Sequence, residues 1–143
     1  MRALGVGSGI RGGAAAPLLA ALFTALLAGC ASVGTSAPVQ PVEGPWDGFL
    51  VVEGQEIVAT LRIRQDGPDL VVFLEAPAVT LSARGEGRLD GSGRARAELL
   101  YDVECPGIAR LSGRFTPDGR LFSGEFRASD CTGRTEGTFS FRR

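Results

Sequence analysis

Residues 108–142 read IARLSGRFTPDGRLFSGEFRASDCTGRTEGTFSFR, and the spacing within this stretch decides the fold. Three times a glycine precedes a phenylalanine by two positions: Gly113 and Phe115, Gly124 and Phe126, Gly137 and Phe139. Period-two alternation marks strands with one buried face. Pro117-Asp118-Gly119 reads as a turn, because proline holds φ negative and glycine takes a positive φ without steric cost. If that turn centres a hairpin, Phe115 faces Phe122 and Gly113 faces Gly124. A second turn centred on Asp130-Cys131 places Gly124 opposite Gly137 and Phe122 opposite Phe139. Residues that point inward then stay inward through both hairpins, as a one-sided sheet requires. The expected core is therefore Phe115, Phe122, Phe126 and Phe139 beside Gly113, Gly124 and Gly137. Glycines weaken a strand, but they let a sheet coil and let a neighbouring ring cover the backbone.

The same alternation extends back to Trp46. Short strand-like runs lie near 46–53, 55–65, 69–76, 79–87, 94–103, 108–116, 120–128 and 133–142, and no segment of useful length has helical period. Asp66-Gly67-Pro68-Asp69 and Asp90-Gly91-Ser92-Gly93 separate two of the pairs as turns. Eight consecutive strands with short connections predict an all-β domain, an antiparallel meander that forms a closed or nearly closed small barrel. A β-sandwich is the alternative. The outward positions carry Arg62, Arg64, Arg94, Arg96, Arg110 and Arg114 among Ser, Thr and Glu, the pattern of a solvated face with cross-strand charge pairs.

The N-terminal region is different. Arg2 and Arg11 precede Ala14–Ala28, an apolar run broken only by Pro17 and Thr24. Its length suits the helix of a secretory signal and is short of the about 20 residues of a membrane span. It ends in Leu27-Ala28-Gly29-Cys30, which resembles the lipobox of bacterial lipoproteins. The resemblance implies that residues 1–29 are a lipoprotein signal peptide, removed by signal peptidase II once lipid is joined to Cys30. Palmitate-type acyl chains on Cys30 would then anchor the chain to a membrane, since several chains hold stably where one does not. Ala at position 31 implies the outer membrane, on its periplasmic or surface face. Residues 30–44 are expected to be the lipidated Cys and a small, polar, Pro-containing tether, with the barrel domain at 45–143.

With Cys30 assigned to lipid, Cys105 and Cys131 remain as a pair for an exported, oxidising compartment. In an up-and-down meander both sit in loops at the same end, separated by adjacent strands about 5 Å apart, so a disulfide with Cα atoms within about 7 Å is expected. Gly44-Pro45-Trp46 is similar to the G-x-W that opens lipocalin-like and avidin-like barrels. That resemblance implies that Trp46 closes one end of the barrel, with Arg142 or Arg143 covering it.

The chain has no His, and Arg supplies all 15 of its basic side chains. His-based triads, lysine Schiff bases and most metal-hydrolase sites are thereby excluded. The carboxylate pairs Asp102/Glu104 and Asp66/Asp69 read as solvated turn acids. From Cys30 on, 13 Arg meet 16 acidic residues, a net charge of −3 that does not suit nucleic acid. No enzyme, metal or cofactor is expected. The reading is a lipid-anchored, non-catalytic cell-envelope protein that binds another protein or a cell-wall component, with hydrolase inhibition one such role. The alternative is a lipocalin-like carrier of a small apolar ligand. The barrel interior discriminates between them: filled by the Phe rows, it leaves a cavity only toward the end away from Cys105 and Cys131, or none.

Overall fold

The structure, a computed structural model, describes residues 41–143. The signal segment, Cys30 and residues 31–40 of the tether lie outside the described residues. The strands are β1 (Gly44–Val52), β2 (Gln55–Asp66), β3 (Asp69–Ala76), β4 (Leu81–Leu89), β5 (Arg94–Asp102), β6 (Pro106–Phe115), β7 (Leu121–Asp130) and β8 (Gly133–Arg142), with one 3₁₀ turn at Pro77–Val79. Each strand pairs antiparallel with the next, and β8 pairs with β1, so the sheet closes into a barrel. Closure leaves no raw sheet edge. The sandwich alternative does not occur.

Alternation sets the two faces. In β2, Ala59, Leu61 and Ile63 are buried while Thr60, Arg62 and Arg64 are exposed. No charged or polar residue is buried among the described residues. The expected core members Trp46, Phe115, Phe122, Phe126 and Phe139 all lie inside, and so do two residues the sequence reading left out, Val42 and Phe141.

The first of the two expected hairpin registers occurs as read: Phe115 faces Phe122 and Gly113 faces Gly124. The second is corrected. Gly124 faces Phe139, Phe126 faces Gly137 and Phe122 faces Phe141. The turn is centred on Cys131-Thr132, with Asp130 opposite Gly133. The Asp130 carboxylate accepts the Thr132 backbone N–H at 2.8 Å and its hydroxyl at 2.6 Å. This Asx-type bond places Asp at the start of the turn, not at its centre. Two residues of slip preserve inward parity, so the faces survive while the row of three glycines does not.

What replaces that row is a ring laid over two strands. A Cβ on Gly113 would meet the Phe139 ring at 2.7 Å and the Phe122 ring at 2.8 Å. A Cβ on Gly124 would collide with the backbone of Ser112 and Gly113. β6 and β7 therefore coil tightly at this point, the corner a small barrel needs. Gly124→Val is expected to cost about 3 kcal/mol by overpacking, whereas the outward Ser123→Val should change stability by only about 0.5 kcal/mol. Urea melts compare them, and a more damaging Ser123→Val would overturn the assignment of faces.

The rings form a continuous column. Trp46 and Phe115 have centroids 5.4 Å apart, Phe115 and Phe122 4.2 Å, Phe122 and Phe139 4.8 Å, and Phe139 and Phe141 5.8 Å. Such pairs each contribute about 0.5–1.5 kcal/mol beyond area burial. The column fills the end of the barrel where β1 begins. There Trp46 is fully buried, and its indole N–H donates to the Val42 carbonyl at 3.0 Å. The Arg143 guanidinium lies 4.9 Å from the Trp46 ring centre. It also donates to the carbonyls of Gly119 (2.9 Å), Glu43 (3.1 Å) and Pro41 (2.6 Å). Of the two candidate arginines, Arg143 covers the Trp.

These bonds also move a boundary. The tether was expected to run to Gly44, but Val42 is fully buried and its N–H donates to the Gln65 side chain at 2.9 Å. The packed body thus includes residues 41–44. One apolar side chain is enough to draw this stretch down, because the Trp46 N–H needs an acceptor when buried.

Candidate functional site

The opposite end carries the β1–β2, β3–β4, β5–β6 and β7–β8 connections, and it is less filled. A cavity of about 160 Å³ opens there, walled by Leu50, Leu74, Leu81, Leu111 and Phe126. The space arises from sequence. Ala83, Ala109 and Ala128 occupy inward positions on β4, β6 and β7, where the other end has aromatics. A Cβ on the nearby Gly137 would strike the Val51 carbonyl oxygen and meet the Phe126 ring at 2.8 Å.

This position corrects one expectation. The cavity opens at the end that holds Cys105 and Cys131, not away from it. The Phe115, Phe122 and Phe139 rings are packed into the Trp46 end and do not line the cavity. The disulfide itself occurs as expected. Cys105 and Cys131 are bonded with Cα atoms 6.2 Å apart, joining the β5–β6 and β7–β8 connections beside the mouth.

Two polar groups stand at that mouth. The Tyr101 hydroxyl donates to the Asp130 carboxylate at 2.8 Å. The Tyr101 ring covers Gly107, where a Cβ would strike it. Burial, then the hydrogen bond to Asp130 and the carboxylate's charge, push the Tyr101 hydroxyl up to about 12. The Thr132 hydroxyl, then Tyr101, hold Asp130 below its ordinary value. Tyr101 is the only tyrosine of the chain, so tyrosinate absorbance reports it alone. An alkaline titration should show its ionisation near 12, against the about 10 of a free phenol. The sign follows from linkage. A phenol with a raised folded pKa stabilises the fold below the unfolded value, and that stability is lost as pH rises through the folded one. An ionisation near the free value would show that the Tyr101–Asp130 bond is absent.

The other sequence candidates do not assemble into a site. Asp66 and Asp69 face each other across the β2–β3 turn, and Asp69 pairs with Arg88 at 3.2 Å. Asp102 ends β5, and Glu104 lies beyond it in the connection; both are exposed. Among the described residues no three His, Cys, Asp or Glu side chains gather as a metal site. The outer face of β4–β7 forms a broad open depression bordered by Arg88, Arg94, Arg96, Arg110 and Arg127 with Glu86, Glu98 and Glu125. Its ion pairs, Arg110–Glu98 at 2.9 Å and Arg127–Glu136 at 3.8 Å, are solvent-exposed and contribute little to stability.

The chain matches no protein-family model and no curated protein. Among solved structures it is similar to a redesigned β-barrel, mFAP1, solved bound to DFHBI. The TM-score is 0.54 at 17% sequence identity, and the match covers 71% of this chain and 94% of that chain. At that identity the likeness establishes the barrel fold and nothing of the site.

Proposed function

We propose that this chain is a lipid-anchored, non-catalytic cell-envelope barrel whose disulfide end binds a small apolar ligand. The observation that carries the reading is the asymmetry of the interior: aromatic rings seal the Trp46 end, and an apolar cavity of about 160 Å³ opens at the other. Its volume sets the ligand. It is smaller than the roughly 300–1,000 Å³ of most ligand pockets, but apolar cavities near 150 Å³ take one benzene-sized molecule. A single ring or the end of a short branched chain fits. Tyr101 and Thr135 at the wall offer hydroxyls to one polar substituent. The similar barrel mFAP1 was solved bound to DFHBI, which is compatible with a barrel of this fold binding a ligand. The lipobox supports the anchor, and with it placement in the envelope.

A protein partner is the second reading. Val79 and Val103, both exposed in connections at the disulfide end, favour it.

One experiment tests these readings together: native mass spectrometry of protein extracted from its own membrane. The expected mass is the chain from Cys30 with acyl chains, plus a small adduct. Ala109→Leu puts three more carbons into the cavity and should remove the adduct while leaving the acyl mass in place. An adduct that persists in Ala109→Leu places the ligand elsewhere. A large, protein-sized adduct with no small one favours the partner reading. Cys30→Ala should leave uncut, unlipidated precursor; normal cleavage in that variant would refute the lipobox.

A further inference from the structure

Four arginines gather on β5, β6 and the β6–β7 turn at the Trp46 end, a feature that the cavity does not use. At the Trp46 end, Arg94 and Arg96 open β5, Arg114 stands near the end of β6, and Arg120 lies in the β6–β7 turn. All four are exposed, and none forms an ion pair among the described residues. Arg94 is directly opposite Arg114, and Arg96 directly opposite Arg88. Like charges placed opposite one another across strands are destabilising, so packing gives no reason for this arrangement. Asp90 and Asp118 stand beside Arg94 and Arg120, with their oxygens bonded within their own turns. Asp90 accepts the Ser92 hydroxyl at 2.6 Å and the backbone N–H groups of Ser92 and Arg94. Asp118 accepts the Thr116 hydroxyl and the Arg120 N–H. The Trp46 end also exposes Glu43, Asp47, Asp66 and Asp69, the last paired with Arg88, while the disulfide end exposes Glu53, Glu56, Glu75, Asp102 and Glu104 beside Arg134.

The chain enters the barrel at the end that carries these arginines, where Arg143 holds the Pro41 carbonyl. We infer that Arg94, Arg96, Arg114 and Arg120 form a docking surface for the phosphate groups of anionic phospholipid, which seats the barrel on the membrane with its cavity facing away. The inference rests on the proposed anchor at Cys30. Residues 31–40 reach at most about 35 Å when extended, so an acylated Cys30 keeps this end within that distance of the headgroups. Arginine suits the role because its planar fork gives two parallel hydrogen bonds to phosphate. Each Arg near an anionic surface contributes about a fivefold gain in partition.

The test uses the processed full chain purified from its membrane and reconstituted into vesicles of phosphatidylcholine alone or with one-third phosphatidylglycerol. Flotation is measured first, then the reactivity of each Arg toward phenylglyoxal by mass spectrometry. In the anionic vesicles Arg94, Arg96, Arg114 and Arg120 should be protected several-fold relative to the neutral ones. Arg134, at the other end, should react alike in both. Protection should vanish in 1 M salt, where screening acts within about 3 Å. Arg94→Ala with Arg114→Ala should lower the surface partition on the order of 20-fold while leaving the thermal melt unchanged or slightly raised. Uniform Arg reactivity in the two vesicle types, with the chain still floating on both, overturns the docking surface and leaves the anchor intact. A chain that fails to float on neutral vesicles refutes the anchor. The arc is then judged on the anionic vesicles alone: loss of flotation in the double variant sustains it, and no flotation or no change refutes it.

Discussion

Replacing Trp46 by Ala should cost about 3–5 kcal/mol, the range for a large aromatic removed from a core. Three losses coincide at this position. The ring is fully buried against Phe115, so truncation leaves a cavity that the strand ends cannot collapse around. The Val42 carbonyl loses its partner, and a buried carbonyl left unpaired costs about 1–3 kcal/mol by itself. Arg143 loses the ring beneath it. A folded domain has only about 5–15 kcal/mol in hand, so this single change should bring the melt near ambient temperature. Trp46→Phe keeps most of the ring but lacks the indole N–H, and should cost about 1–2 kcal/mol, mostly the unmade hydrogen bond. Guanidinium melts of the two variants separate packing from hydrogen bonding. A Trp46→Phe variant as stable as the parent would mean that the N–H bond to Val42 does not form.

Removing the disulfide with Cys105→Ser and Cys131→Ser should cost about 3–4 kcal/mol in the chain-entropy account, for a closed loop of about 27 residues. The structure adds a local consequence. The bridge holds the β5–β6 and β7–β8 connections together at the mouth, next to the Tyr101–Asp130 hydrogen bond. Loss of the bridge should therefore loosen the cavity rim first and leave the aromatic column for last. Hydrogen exchange of the double variant checks this order: faster exchange near residues 101–107 and 128–134, with residues 113–124 still protected. Uniform acceleration would show that the two ends of the barrel are not separable.

The contrast between those two ends also explains what the sequence disclosed. All eight strands were legible because each carries period-two alternation, and the turns between them contain Gly, Pro and Asp in positions with a conformational reason. The Cys105–Cys131 bridge followed from the strand count, and the Trp46–Arg pairing followed from a tripeptide resemblance. The β7–β8 register was not legible, because parity alone cannot distinguish a turn on Asp130-Cys131 from one on Cys131-Thr132. The difference lies in the Asp130 side-chain bond to Thr132, and a choice of turn centre made from residue type misses it. Phe141 was available from the alternation that makes Phe139 inward, and needed only one more step along β8. Val42 had no such signal; it is buried because Trp46 and Gln65 find partners in its backbone. The cavity was misplaced for a related reason. The Phe rows are conspicuous in sequence, whereas Ala83, Ala109 and Ala128 look unremarkable until the barrel brings them to one end.

Closure of the sheet imposes an order in time. Asp47–Val52 of β1 finds its second neighbour in Gly137–Arg142 of β8, some ninety positions further along the chain. Seven strands can form hairpin by hairpin as they emerge, but the eighth must arrive before the first has a partner on both sides. Until then β1 and β7 are open templates for other chains, and contacts of such long range form slowly. A chain that emerges from its N-terminus is therefore exposed to aggregation and proteolysis until its final strand is free. The same closing strand carries Phe139 and Phe141, which complete the aromatic column, so edge protection and core completion are a single late event.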